Sequence, residues 1–377
     1  MKINTSRAKE IQVWVDNHPN DKSEYERVDV KLLGQEKKLE VWRIPIKFLI
    51  YNLQNGRFTA ELLAKESEFK RKLDPTNTQD AKILQQLLLT QDKDETEALE
   101  KDIKIHGQTQ PGIITFDGAV INANRRMALL TKLFEETGDT KFEYLRVARL
   151  PQDVDQKDLW RIEAGIQFGK TFILDYPPVN EMLKLRDGKE RGLTLKEISK
   201  TLLGRYSEDD IQDELDVLKQ IENYLEFIEK PKQYHEVKIH VEKFRSLQRN
   251  VIIPLKKIMS PQEVLKINIV GFKLIQSDDV THMNIRKLRQ MVEINAVKEE
   301  LTKSPLSQEE LIESFNTALD TVEAQKAEEE PKRFVMRALS AIRNIKETNP
   351  QLKNKEVIEL LNELGKEIER LKTVKKS

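Results

Sequence analysis

Gly112-Ile-Ile-Thr-Phe-Asp-Gly-Ala-Val-Ile-Asn-Ala-Asn-Arg-Arg126 is the stretch on which the fold turns. Two apolar runs flank Asp117-Gly118. An Asp-Gly pair in that setting is the strongest short-range signal of a β-hairpin, because glycine takes the positive φ that a tight turn needs. Past Ile121, Asn122 and Asn124 stand where a helix wants a cap, and Arg126-Met-Ala-Leu-Leu-Thr-Lys-Leu-Phe134 continues with helical texture. Strand, turn, strand and helix within so few residues predict an α+β fold.

Working outward, Leu39 to Ile50 is rich in β-branched and aromatic residues and reads as a strand, closed by turn-like residues from Asn52 to Gly56. Helices are expected over 58–73 and 80–107, and a further strand over 142–150 that Pro151 closes. Residues 1–37 are polar and mixed: an extension with one short helix near Ala8–Val15, then a hairpin or linker. Beyond Asp155 the pattern is helical throughout, with breaks expected at Pro177-Pro178, Gly188, Gly204, Pro231, Pro254, Pro261, Pro305 and Pro331. The last stretch predicts helices over 306–329, 332–348 and 354–374, with the look of packing or self-association elements. The expectation is therefore a mixed N-terminal half and an all-α C-terminal half.

Composition narrows the class. Of 377 residues, 38% are hydrophobic and 34% charged, with 64 Lys and Arg balancing 64 Asp and Glu. A neutral total offers no global attraction for nucleic acid, so any basic face is local. The absence of Cys removes disulfides, thiolate nucleophiles and Cys-based zinc sites, and fits a reducing cytoplasm. The N-terminal residues lack a signal-peptide core, and no run approaches the ~18–20 apolar residues that span a bilayer. A cytoplasmic protein without membrane contact is expected.

Three elements between Ile44 and Lys170 carry chemistry. Ile44-Pro45-Ile46 leads to Asn52 and Arg57; Gly107-Gln108-Thr109-Gln110-Pro111 precedes a strand; Val120 to Arg126 is a strand running into a helix start with two arginines. The third is an anion trap: a helix N-terminus offers backbone N–H groups and roughly half a positive charge, and guanidiniums add forked donors suited to phosphate. The Gly107 turn can bring further backbone donors close. The other reading is that Arg125 and Arg126 pair with surface acids such as Glu135.

In this order the elements resemble the N-terminal domain of the ParB family, within the ParB/sulfiredoxin-like fold. The Gly-x-x-Gln-Pro box is matched by Gly107 to Pro111. The family's Gly-Glu-Arg-Arg box corresponds to Ala123-Asn124-Arg125-Arg126, and its Glu-Asn box to Glu163-Ala164-Gly165-Ile166-Gln167. The resemblance covers about 38–175. It implies a nucleoside triphosphate, CTP or ATP, with Mg2+: Arg57, Gly107, Gln108, Thr109, Gln110, Asn124, Arg125, Arg126 and Gln167 around the phosphates, and Glu163 as metal ligand and catalytic carboxylate. It also implies a homo-dimer that clamps DNA. Ala123, Asn124 and Ala164 depart from the family's Gly, Glu and Asn, which removes a carboxylate from the pocket. A sulfiredoxin role needs a Cys that the chain lacks.

ParB proteins continue with a helix-turn-helix, and 176–230 reads as a degenerate one. Thr194 and Glu197 make a capping-box pattern, Leu195, Ile198 and Leu202 an apolar face, and Gly204 the turn. The following helix carries Glu208, Asp209, Asp210, Asp213, Glu214 and Asp216, a poor surface for a groove lined with phosphates, so 208–216 is expected to meet a protein partner instead. Helical residues 231–304 include Arg245, Arg249, Lys256 and Lys257, where DNA contact without strong sequence preference is expected. Residues 305–377 form C-terminal helices. Three functions follow: a nucleotide-responsive, DNA-associated clamp or regulator serving plasmid maintenance or anti-phage defence; a nuclease or nucleotide hydrolase on the same fold; or a helical scaffold with a vestigial phosphate pocket.

Overall fold

The computed structural model describes residues 4–32, 35–169, 177–303, 307–343, 345 and 348–372. Six strands, β1 (Lys22–Leu32), β2 (Gln35–Pro45), β3 (Ile50–Tyr51), β4 (Gly112–Ile114), β5 (Ala119–Asn122) and β6 (Tyr144–Arg149), form one mixed sheet in the order β1-β2-β6-β4-β5-β3. The Asp-Gly hairpin is present: β4 and β5 run antiparallel. Gly118 sits at φ +85°, and a Cβ there would lie 2.8 Å from the Phe48 carbonyl oxygen and 2.7 Å from Ile11 Cδ1, so glycine is required by conformation and by space.

Around the sheet lie α1 (Thr5–Asn17), α2 (Thr59–Phe69), α3 (Thr78–Thr90), α4 (Lys93–His106), α5 (Asn124–Thr137) and α6 (Gln156–Gly169). Alternation along β4 and β5 sends successive side chains to opposite faces. Ile114 and Val120 join Leu84, Leu88, Met127 and Leu133 in one core, and Ile113 and Ile121 join Leu159 and Ile162 in the other. The sheet is thus covered on both sides.

Three local expectations are corrected. The segment read as an extension supplies α1 and β1, and β1 pairs antiparallel with β2 down to Leu32↔Gln35, so the sheet begins well before residue 38. The single strand expected over 39–50 ends at Pro45, which has no N–H for a ladder; after a 3-10 turn at Ile46–Phe48, Ile50–Tyr51 crosses to the far edge and pairs parallel with β5. The helix expected over 80–107 divides into α3 and α4, because Asp92 caps the second by accepting from the Glu95 N–H.

Among the described residues there follow α7 (Pro178–Glu190), α8 (Leu195–Thr201), α9 (Glu208–Phe227), α10 (Val241–Ser246), α11 (Ile253–Leu255), α12 (Pro261–Ile275), α13 (His282–Val292), α14 (Asn295–Thr302), α15 (Gln308–Arg343) and α16 (Lys355–Lys372). The α8 start carries the anticipated capping box, and a second one built on Ser207 and Asp210 opens α9. Trp160 of α6 packs on α7 so closely that a Cβ at Gly188 would lie 2.7 Å from its ring, and together with Leu185, Ile198, Leu202 and Ile211 it forms the core beneath α7–α9. No break occurs at Pro254, where a π-helical turn over Leu247–Ile252 joins α10 to α11. None occurs at Pro331 either, since α15 runs through it; good helix formers on both sides offset the ~3 kcal/mol that proline costs inside a helix. The chain divides into two compact units, Met1–Arg289 and Gln290–Ser377. The sequence-level divisions near 37, 175 and 230 all lie within the first.

Candidate functional site

The strand-to-helix junction at β5–α5 is unusual at its first step. Ala123, at the N-cap position, is held at φ +78° and ψ +19°, the left-handed region that costs a residue with a Cβ about 1–2 kcal/mol. Neither asparagine caps the helix. The Asn122 carboxamide oxygen accepts from the Ile113 N–H. Asn124, buried, accepts from the Asn52 N–H at 3.1 Å and donates to the Val120 carbonyl at 2.7 Å. No side chain therefore caps α5, and its first N–H groups keep their positive end of the helix dipole.

Arg125 and Arg126 differ in their surroundings. Arg125 pairs with Glu95 of α4 at 2.5 Å, both side chains largely buried. That fulfils the ion-pair reading for this residue, though with Glu95 instead of Glu135. Arg126 donates to the Gln110 carbonyl and makes no ion pair among the described residues. Burial, and then the Arg146 guanidinium beside it, hold Arg126 below the usual guanidinium range, with Asp102 opposing. Arg146 lies on β6 directly opposite Arg43 of β2, donates to the Gln108 carbonyl and pairs with Glu26 of β1. Arg126 and Arg146 thus lie side by side near the start of α5, Arg146 with an acidic partner in Glu26. Sequence reasoning missed Arg146. Its signal was a lone cation between the apolar Leu145 and Val147.

The remaining box residues are bonded to residues outside the boxes or exposed. Gly107 ends α4 at φ +71°, a conformation that favours glycine. The Gln108 carboxamide behaves like an extra peptide on the sheet, donating to the Tyr144 carbonyl at 2.7 Å and accepting from the Arg146 N–H at 2.9 Å. Thr109 and Gln110 are exposed. The Arg57 backbone carbonyl accepts from Asn180 at 2.8 Å and also from Gln91. Gln167 lies on α6, but its side chain is outside the described residues.

Glu163 is the largest correction in chemical role. It is buried, accepting from the Gly56 N–H at 2.9 Å and from the Lys184 ammonium at 2.7 Å. Lys184 is itself 1% exposed and also lies 3.5 Å from Asp187. The sequence carries no sign of this pairing. Mg2+ calls for several oxygen ligands and retains waters; one carboxylate already sharing a buried ammonium does not fit that demand. No group of three or more His, Asp or Glu side chains among the described residues could hold a metal. Glu163 and Asn124 instead pin the Asn52–Arg57 loop from two sides, so the first, arginine and glutamate boxes do meet in space, through structural hydrogen bonds.

The basic stretch and the acidic helix turn out to be one feature. Glu214 of α9 accepts from Arg245 at 3.1 and 2.9 Å and from Arg249 at 2.7 Å, and Asp213 pairs with Arg249 at 2.8 Å. Burial works against the Arg245 cation, but Glu214 and Glu242 outweigh it and its pKa is raised. The two arginines expected at DNA therefore pair with Asp213 and Glu214 of α9, while Lys256 and Lys257 are exposed. No helix among the described residues is long and apolar enough to cross a membrane. No protein-family model matches the chain, and no curated protein matches it either.

Proposed function

We propose that the N-terminal sheet domain binds the phosphates of a nucleotide at the open end of α5, as a ParB-like, nucleotide-responsive and DNA-associated protein would. The observation that carries this reading is Arg126: a half-buried cation beside Arg146, bonded among the described residues to a carbonyl and to no carboxylate, at an uncapped helix N-terminus. Like charges held together are costly until an anion arrives between them. Ala123 adds support, because its left-handed backbone occupies the position where the ParB arginine box carries glycine. Arg126 supplies the cation, with backbone N–H groups from the first turn of α5, and Arg146, which pairs with Glu26, stands beside it. Asn124, Gln108 and Glu163 act as positioning residues, and Arg125 is tied to α4. Binding is favoured over hydrolysis, since Glu163 is committed to Lys184. DNA association then falls to exposed lysines such as Lys256 and Lys257, with a correspondingly shallow salt dependence.

The test is calorimetry with CTP and ATP, with and without Mg2+, on the wild type and Arg126→Ala. Each charge-assisted contact contributes about 1.5–3 kcal/mol, so Arg126→Ala should weaken binding at least about tenfold. An unchanged affinity removes the site. Absence of any nucleotide binding in the wild type leaves the scaffold reading in its place.

A further inference from the structure

Arg43 of β2 stands directly opposite Arg146 of β6 in the antiparallel ladder. Partners in such a ladder share a face of the sheet, and like charges placed there are destabilising. Arg146 has Glu26 to offset this. Arg43 is exposed and has no carboxylate partner among the described residues. Its guanidinium lies instead over the ring of Tyr144, also on β6, with Cζ 4.8 Å from the centroid. Tyr144 in turn packs against Trp14 of α1 at 6.2 Å, and Trp14 Nε1 donates to the Arg43 carbonyl at 3.4 Å. The aromatic pair positions a planar cation at the surface and leaves its charge unmatched.

We infer that Arg43, seated on Tyr144, is the stacking platform for the base of the nucleotide whose phosphates Arg126 holds, and that it selects purines over pyrimidines. The inference rests on the anion-site reading and extends it to the base. The path between the two is short. Arg126 lies beside Arg146, and Arg146 is one strand spacing, about 5 Å, from Arg43. A phosphate at the first of these arginines leaves the sugar and base to reach the last. Bases stack on guanidinium planes as they do on aromatic rings. Such contact is made through the ring face, which every base has, so it grows with ring area instead of reading an edge. The fused rings of a purine cover more of the platform than the single ring of a pyrimidine. The planar shape is essential, because an ammonium in its place is a compact point charge.

Calorimetry with ATP, GTP, CTP, UTP and inorganic tripolyphosphate separates the base from the phosphates. The wild type should bind ATP and GTP about tenfold more tightly than tripolyphosphate, and about three- to fivefold more tightly than CTP and UTP. Arg43→Lys keeps the charge and removes the plane. Its ATP affinity should fall to within about twofold of tripolyphosphate, with the purine preference gone and tripolyphosphate affinity and thermal midpoint unchanged. Arg126→Ala should weaken all five ligands alike. Tripolyphosphate binding as tightly as ATP in the wild type overturns the platform and leaves the anion site standing. CTP bound as tightly as ATP, or a purine preference that survives Arg43→Lys, does the same. Binding of none of the five, or binding indifferent to Arg126→Ala, removes the anion site and this inference with it.

Discussion

Two of the arginine pairs close in sequence, at the start of α5 and beside α9, do opposite things. At the start of α5 the pair is split: Arg125 is held by Glu95, while Arg126 has a carbonyl and a neighbouring cation. At the α9–α10 contact both Arg245 and Arg249 converge on one buried carboxylate, Glu214, with Asp213 and Glu242 at the edges. The first place stores unspent positive potential at a helix end, and the second cancels it. A count of basic residues along the chain ranks them the other way round. What decides whether an arginine is available to a phosphate is the carboxylate packed against it.

Breaking the neutralised cluster should have the largest effect. Glu214→Ala leaves Arg245, only 20% exposed, with Glu242 alone and Arg249 with Asp213 alone. Removing one partner of a buried pair costs about 3–5 kcal/mol; allowing for the exposure of Arg249, urea unfolding should show a loss of about 2–4 kcal/mol. A loss within experimental error would mean that the pairing is a surface ornament and the contrast with Arg126 is false.

Relief of the strained junction should be smaller and opposite in sign. Ala123→Gly removes the Cβ that the left-handed backbone disfavours, and should stabilise by about 1 kcal/mol, less the added freedom of the unfolded chain. Differential scanning calorimetry should show a raised midpoint. A lowered midpoint would indicate that the Ala123 methyl contributes more by packing than its backbone costs.

The smallest effect sharpens the comparison from the other side. If Arg245 and Arg249 are already neutralised, Arg245→Ala/Arg249→Ala should leave the slope of log affinity for duplex DNA against log salt unchanged, whereas Lys256→Ala/Lys257→Ala should reduce it by about 1–2. A fluorescence titration at several salt concentrations reads both. A reduced slope in the arginine variant would return these residues to the DNA surface.

By itself the sequence determined the features governed by near neighbours. Asp117-Gly118 makes a hairpin because glycine alone fits the turn. The alternation of β4 and β5 supplies both cores, and Thr194 with Glu197 caps α8, all through contacts spanning a few residues. It also placed the boxes in the right neighbourhood, since Asn52, Asn124, Gly56 and Glu163 do meet. Only the tertiary structure decided which of those residues are spent. Glu95 lies 30 positions from Arg125, Glu214 lies 31 from Arg245, and Lys184 lies 21 from Glu163, and no spacing rule reaches so far. Periodicity shows which face of an element turns inward, but the choice of charge partner depends on which elements pack together, and that is settled by burial of the whole core.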